Sequence, residues 1–494
     1  MIKNIYPFML IVICLAPWAV IQLFTRIPSD AAFLYLGMEM LMQGKAMSEY
    51  FYDNNPPMSF LIYAPAALIH ALGVSKHFAI QIYVMSFTAI SVFFTYYYLS
   101  KYKALDLASR FIIVTSYLGA VTLLSYAEYG QKDHFIAIAL VPFILMQLSI
   151  TNKHNTPQYM TWLSILLYVP FILVKPHFGI LPVALILQRL YISKKIQINA
   201  DFMGLAIGVI SYLSFIYIYM PDYISEILPA SLLYYLSNYT VESFTKTTIA
   251  VSLLGGALIV ISKFKDGGSD AKYLCFTFAW LATLSIIAFW VQGKGFTVHL
   301  MPIITLMSIA AGQLLYPYIK KPLISILVIL ALFYITFSFT KHMPTKSEYE
   351  EMSLAKLLKE KAGDKPFFME SYSTNIIWTQ SLYSPNQVAS RFPSLWMLFG
   401  LNKLTKQEQK YTWEKYGGLI AKDIERGKPE MIALMKFDDP DKGFTAFFKN
   451  HKDFQKQWKN YKYDSEYTLS KDEYLDSFLR DNDKEIVYDI YIRQ

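Results

Sequence analysis

The feature that most constrains this chain is a succession of apolar stretches recurring from Phe8 to Phe339. Each is near the ~20 residues an α-helix needs to cross the hydrocarbon core of a bilayer. In lipid every backbone N–H and C=O needs an internal partner, so such stretches fold as helices. Only 17% of the residues are charged, against roughly 25% in soluble proteins, and the mean hydropathy is +0.32. The sequence therefore predicts a polytopic α-helical membrane protein embedded in a lipid bilayer. The first stretch runs on without an A-x-A-like cleavage site and reads as a retained span rather than a signal peptide. The net charge of +8 does not point to nucleic acid, because Lys and Arg scatter through short loops. Cys14 and Cys275 both fall inside apolar segments, which gives neither a disulfide nor a metal site.

The composition breaks near Lys341, which divides the chain into 1–340 and 341–494. The second part is rich in Lys, Asp, Glu and Tyr and has no segment apolar enough to span. Within it "KPFFMESYS", "MIALMKF" and "EIVYDIYIRQ" read as short strands. "KSEYEEMSLAKLLKEKAG" reads as an amphipathic helix ending at Gly363. A soluble α/β domain is thus expected behind the membrane domain. No internal repeat or low-complexity tract is visible.

Orientation follows from the basic residues of the short loops. We take about 11 transmembrane helices, near 5–24, 77–99, 111–126, 135–150, 159–174, 178–192, 202–220, 247–262, 273–291, 300–316 and 322–340. With the amino terminus in the cytoplasm, the inner loops hold Lys101, Lys103 and Arg110; Lys153; Lys194 and Lys195; Lys263, Lys265 and Lys272; and Lys320 and Lys321. The opposite loops between spans mostly hold one basic residue each. The run "MSFLIYAPAALIHALG" (58–73) would invert this pattern if it spanned. It is short and contains Pro65 and His70, so it reads as a re-entrant or interfacial helix. The C-terminal domain then lies outside, in the periplasm if the membrane is a bacterial inner membrane.

The unusual chemistry gathers in the outer loops. Asp30 follows the first span, and Asp53 and Asn55 precede Pro56-Pro57. "EYGQKDH" (128–134) brings Glu128, Lys132, Asp133 and His134 between two apolar runs. "VKPHF" carries Lys175 and His177 at a helix break, and "QGKGFTVHLMP" carries Gln292, Lys294 and His299. Ionisable groups at membrane depth are costly and mark functional sites by default. Each has a plainer reading: Asp30 as a helix N-cap, Lys132 and Asp133 paired with each other, Lys175 and Lys294 snorkelling, and Asn55-Pro56-Pro57 shaping a turn. Their coincidence on one side, against plain Lys and Arg on the other, favours a site.

An Asp at the end of the first span, a "G…Y.D.NPP" loop and an acidic second loop with a basic neighbour resemble the GT-C superfamily of membrane glycosyltransferases. These include protein O-mannosyltransferases and the lipid A aminoarabinose transferases. The likeness is best from the amino terminus through VKPHF, and QGKGFTVHLMP adds to it. It implies a GT-C-like fold, a polyprenyl-phosphate sugar donor, a lipid, glycan or protein acceptor of the cell envelope, and inverting single displacement. It also implies that Asp30 is the base, with Glu128 or Asp133 as a second catalytic carboxylate. Lysines hold phosphate as point charges, so Lys132, Lys175 and Lys294, with His177 and His299, are the candidates for the donor phosphate. Asp53, Asn55, His134 and Gln292 are candidates for substrate contact. Asp30, Glu128 and Asp133 offer oxygen ligands of the kind Mg²⁺ or Mn²⁺ accepts. Lys132 would oppose a cation and can replace it, which favours metal independence. An O-antigen ligase or polymerase shares the lipid-linked donor, but a large outer loop with arginines is then expected. A transporter buries its charges near the midplane and often has two related halves.

Overall fold

The computed structural model describes residues 18–125, 128–195, 197–236, 246–263, 269–292, 297–319, 352–369, 376–384, 386–398, 404–436, 451–469 and 486–494, with Tyr334, Thr345 and Leu401. A helical segment over 18–24 leads to α1 (Ser29–Met42). Short helical turns follow at Met47–Tyr50, Met58–Leu61 and Ala64–Ala71. The longer helices are α2 (Lys76–Leu99), α3 (Leu107–Thr122), α4 (Lys132–Thr151), α5 (Gln158–Leu173), α6 (Ile180–Ser193), α7 (Ala200–Tyr219), α8 (Lys246–Lys263), α9 (Ser269–Gln292) and α10 (Met301–Ile319). Among the described residues, five helices are long and apolar enough to cross a membrane: Lys76–Leu99, Lys132–Thr151, Ala200–Tyr219, Asp270–Trp290 and Val298–Leu315. Leu107–Thr122, Gln158–Leu173 and Ser252–Ser262 are apolar but shorter. The expected span 322–340 and most of 5–24 lie outside the described residues.

Capping explains several helix starts. Ser75 accepts from the Phe78 N–H ahead of α2, and Asp106 accepts from the Ser109 N–H at 2.8 Å ahead of α3. The run 58–73 breaks after Leu61, and its longer piece has 8 residues, far too few to cross.

Helix α4 is the axis of the bundle. Every residue from Lys132 to Ser149 is buried, as expected of a helix that is apolar on all faces and surrounded by protein. Phe171 of α5 stacks on Phe87 of α2 at 4.2 Å and on Phe135 of α4 at 5.6 Å. Helix α7 packs close on α5 through Gly204 and Gly208. A Cβ at Gly204 would stand 2.4 Å from Ile165 Cγ2, and one at Gly208 2.5 Å from Val169 Cγ1. Such small-residue spacing is how helix pairs approach in lipid, where no hydrophobic force draws them together.

The C-terminal part adds α11 (Ser353–Lys361), β1 (Phe367–Met369), α12 (Ile376–Tyr383), α13 (Lys406–Gly427), β2 (Met431–Met435), α14 (Lys452–Trp458), β3 (Tyr461–Leu469) and β4 (Ile486–Arg493). The strands form one sheet in the order β1-β2-β4-β3, with β1 parallel to β2 and the other pairs antiparallel. β1, β2, β4 and the Ser353–Lys361 helix lie in the expected segments, and Gly363 follows that helix with φ +61°. β3 and α13 were not foreseen. A capping box between Thr405 and Glu408 opens α13.

The sheet region docks on the start of the chain. Thr379 Oγ1 donates to the Ile27 carbonyl at 3.1 Å, Tyr383 OH accepts from the Ile27 N–H at 2.7 Å, and Trp378 meets Phe33 edge-on at 4.7 Å. Arg391 Nη1 donates to the Ser48 carbonyl and Arg426 Nη1 to the Glu49 carbonyl, both at 2.8 Å. The sheet thus lies at the Lys132 end of α4, and α12 buttresses the turn that carries Asp30.

Candidate active site

Three of the expected loop residues are not in a loop. Helix α4 begins at Lys132, so Lys132, Asp133 and His134 form its first turn and are buried. The preceding turn is set by Gly130, whose φ of +77° is the left-handed region that favours glycine. Its N–H donates to His134 Nδ1 at 3.0 Å, and its carbonyl accepts from Tyr63 OH at 2.6 Å.

His134, a candidate for substrate contact, is fully buried. Its Nδ1 accepts from Gly130, and its Nε2–H donates to the Val121 carbonyl at 2.6 Å, so main-chain groups occupy both ring nitrogens. It fixes the turn before α4 against the end of α3. The sequence gives the residue but not its direction.

The two lysines and the carboxylates are arranged differently from either sequence reading. Lys132 and Asp133 do not pair with each other, because adjacent residues of a helix point apart. Lys132 Nζ donates to Asp30 Oδ2 at 2.5 Å. Asp133 accepts from Lys175 Nζ at 2.8 Å on Oδ1 and 2.7 Å on Oδ2. Lys175 Nζ also donates to His299 Nδ1 at 2.8 Å, while that nitrogen stands 3.4 Å from Asp133 Oδ1. The shorter contact assigns Nδ1 as an acceptor, which leaves the proton of a neutral His299 on Nε2. Lys175 stands at the break between α5 and the turn Pro176–Gly179, as its sequence position implies, but it does not snorkel. His177 lies half-buried within electrostatic reach of Lys175, Asp133 and His299.

Asp30 is not an N-cap. It sits in the first turn of α1, Pro28 holds the cap position, and no side chain caps that end. Its side chain keeps 19% exposure, against 9% for Lys132 and none for Asp133, which makes it the most open carboxylate of the pairs. Asp53 is buried behind it and accepts from the Asn55 N–H at 3.3 Å and from Asn55 Nδ2 at 2.5 Å. Burial pushes the Asp53 carboxyl from 3.8 up to about 6; the Asn55 hydrogen bonds and Lys132 pull it back, and Asp30 adds to the rise. Asn55 thus acts on Asp53 as well as shaping its turn.

Asp30, Asp53, Lys132, Asp133, Lys175, His177 and His299 therefore converge on one end of α4. Glu128 accepts from Gln131 Nε2 at 2.6 Å. Asp30, Glu128 and Asp133 do not come together as a ligand set: among the described residues no three His, Cys, Asp or Glu side chains are grouped to hold a metal ion. Asp30 and Asp133 face ammonium groups instead. Lys294 lies outside the described residues, as does the side chain of Gln292.

Two charge clusters were missed. Arg391 pairs with Asp423 at 2.9 Å, and Arg426 joins the same carboxylate at 2.9 Å. Burial pushes Asp423 up, and Arg391 opposes it. In the bundle, Arg189 Nη2 donates to Asp201 Oδ1 at 3.0 Å, and Gln147 Nε2 donates to Asp201 Oδ2 at 3.2 Å. The only sequence signal for either was an acid and an arginine near helix ends.

The fold and its apolar helices define a helical membrane protein with a small appended sheet. No protein-family model matches the chain, and no curated protein matches it.

Proposed function

We propose that the chain is an integral membrane glycosyltransferase of GT-C-like architecture that moves a sugar from a polyprenyl-phosphate donor to a lipid, glycan or protein acceptor. The observation that carries this reading is the grouping of Asp30, Asp53 and Asp133 with Lys132 and Lys175 at one end of α4, Asp30 being the most open carboxylate. Glycosyl transfer to a hydroxyl needs a base and support for a departing phosphate. Asp30 takes the acceptor proton. The acceptor oxygen attacks the anomeric carbon from the face opposite the phosphate, and the C–O bond to phosphate breaks with its electron pair going to the phosphate oxygen. Lys132 holds the Asp30 carboxylate in place through its hydrogen bond before the reaction. Once Asp30 is protonated, Lys132 loses its counter-charge and turns its hydrogen bonds to the new phosphate charge. Asp133 and His299 hold Lys175 behind it.

The reading places eleven spans in a bacterial inner membrane, the amino terminus inside, and the Lys132 end of α4 with the sheet on the periplasmic face. Single cysteines at the exposed positions Lys103 and Lys462 test this. An impermeant thiol reagent added from outside labels Lys462→Cys and spares Lys103→Cys, and the reverse pattern would overturn the orientation. The chemistry is tested with purified protein and a panel of radiolabelled polyprenyl-phosphate sugars. Release of polyprenyl phosphate that depends on acceptor and on Asp30 supports the proposal. Intact donors throughout the panel, with folded protein in lipid, would remove it.

A further inference from the structure

At the opposite end of α4 from Asp30, the end of α4 and the starts of α5 and α7 enclose an open cleft of about 490 Å³. No residue lining it is a carboxylate, whereas Lys153 and His154 both line it. Lys153 is exposed and turns the chain out of α4 with φ 52°. His154 lies edge-on to Tyr102 at 4.4 Å, and its buried Nδ1 has no hydrogen-bond partner among the described residues. Burial lowers the pKa of His154 against the pull of Asp270, so near pH 7 the ring is neutral and one nitrogen still donates. Helices α5 and α7 start at Gln158 and Ala200, both in the lining, and neither end has a side-chain cap. The first N–H groups of α5 add partial positive charge to that of Lys153, and those of α7 do so beside Asp201, whose own charge is paired with Arg189.

The cleft is polar at its mouth and apolar beneath. Trp162 and Met203 line it, and one turn further along the same helix faces come Leu166, 73% exposed, and Ile207, 52% exposed. Beside them, Gly204 and Gly208 close α7 onto α5, so the gap at the top is set by how the two helices cross. This is also the end whose loops carry Lys101, Lys103, Lys153, Lys194 and Lys195. That bias is the mark of a cytoplasmic face, where anionic lipids are enriched.

We infer that this cleft binds the headgroup phosphate of an anionic phospholipid, whose acyl chains lie along Leu166 and Ile207. The site is at the other end of the bundle from Asp30 and does not rest on the glycosyl-transfer reading.

Native mass spectrometry of the delipidated full-length protein tests it, with phosphatidylglycerol, phosphatidylcholine and inorganic phosphate titrated separately. Two variants keep the local backbone. Lys153→Gly removes the charge at a φ glycine prefers. Asn199→Asp places a carboxylate in the lining at an N-cap position that Asp fills as well as Asn. Phosphatidylglycerol is expected to bind more tightly than either other probe, and roughly tenfold more weakly to each variant, the loss of one charge-assisted contact. Unchanged phosphatidylglycerol affinity in both variants would overturn the inference. So would equal retention of phosphatidylcholine, or inorganic phosphate binding as tightly as the lipid.

Discussion

The two ends of α4 both bury charge, and they do so differently. At the far end a single carboxylate, Asp201, meets a single guanidinium, Arg189, and Gln147 takes a second oxygen. Asp201 is fully buried and Arg189 nearly so. At the near end two ammonium groups lie among three carboxylates and two histidines, and the pairs grade outward from buried Asp133 to the more open Asp30. A closed pair has one arrangement, and its breakage leaves a charge stranded. A graded cluster has several arrangements of nearly equal charge, so a proton or an anion arriving at its open edge can be accommodated by exchanging partners. The first suits packing, and the second suits the reactive site proposed above.

The largest expected effect separates the ends by activity. Asp30→Asn keeps the shape and a hydrogen-bond acceptor for Lys132 while removing proton affinity. Turnover in a polyprenyl-phosphate sugar assay should fall by ~10²–10⁴, with thermal unfolding close to wild type. Activity within a few-fold of wild type would erase the distinction drawn between Asp30 and Asp201.

Asp201→Ala should do the converse. It strands Arg189 in the bundle, which costs on the order of 3–5 kcal/mol, and it lowers the unfolding midpoint in detergent. Turnover per folded molecule should stay as it was. A loss of turnover in protein that is still folded would show that the far end belongs to the site as well.

Asp53 gives the near end a pH signature. Its carboxyl titrates at about 6 in the folded protein against 3.8 for the free group, so the native state binds this proton more tightly than the unfolded chain. The stability it contributes is fully present below pH 3.8 and is lost as pH rises through about 6. The shift corresponds to on the order of 3 kcal/mol. Wild type should therefore lose stability relative to Asp53→Asn between these limits. Parallel pH profiles for the two proteins would mean that Asp53 is no more buried than a surface acid.

Much of this was legible in the sequence, for reasons that differ by element. The long apolar runs of α2, α4, α7, α9 and α10 announce themselves, because length and hydropathy are local properties. The residues of the near cluster were also legible, since Asp30, Lys132, Asp133, Lys175 and His299 are out of place beside apolar runs. Their pairing was not. Whether Lys132 reaches Asp30 or Asp133 depends on α4 starting at Lys132 rather than Phe135, and one helical turn redirects every side chain in it. His134 looked like its neighbours but points the other way, into the Gly130 turn. Asp201 and Arg189 carried no signal because nothing local says that α6 and α7 bring them together. β3, with its mixed polar face "YKYDSEYTL", has no clean alternation to mark it.

The smallest effects test the packing that holds the far end in place. Gly204 lies one turn after Asp201 on α7, and its missing side chain lets α7 approach α5. In Gly204→Ala the new Cβ meets Ile165 Cγ2 at 2.4 Å and Cδ1 at 2.9 Å, so Ile165 must leave its rotamer or the helices must separate. Overpacking of this kind costs about 1–3 kcal/mol. Helix propensity works the other way, since alanine is favoured over glycine in a helix interior by roughly 0.5–1 kcal/mol. Gly119 in α3 isolates that second effect, because a Cβ there meets nothing within 4 Å. Gly119→Ala should therefore raise the unfolding midpoint slightly, while Gly204→Ala lowers it. Combining Gly204→Ala with Ile165→Ala should cost less than the two changes summed, as residues in contact couple by about 0.5–3 kcal/mol. If both glycine variants shift stability in the same direction, the α5–α7 approach is not tight. The Arg189–Asp201 pair would then owe its burial to something other than this crossing.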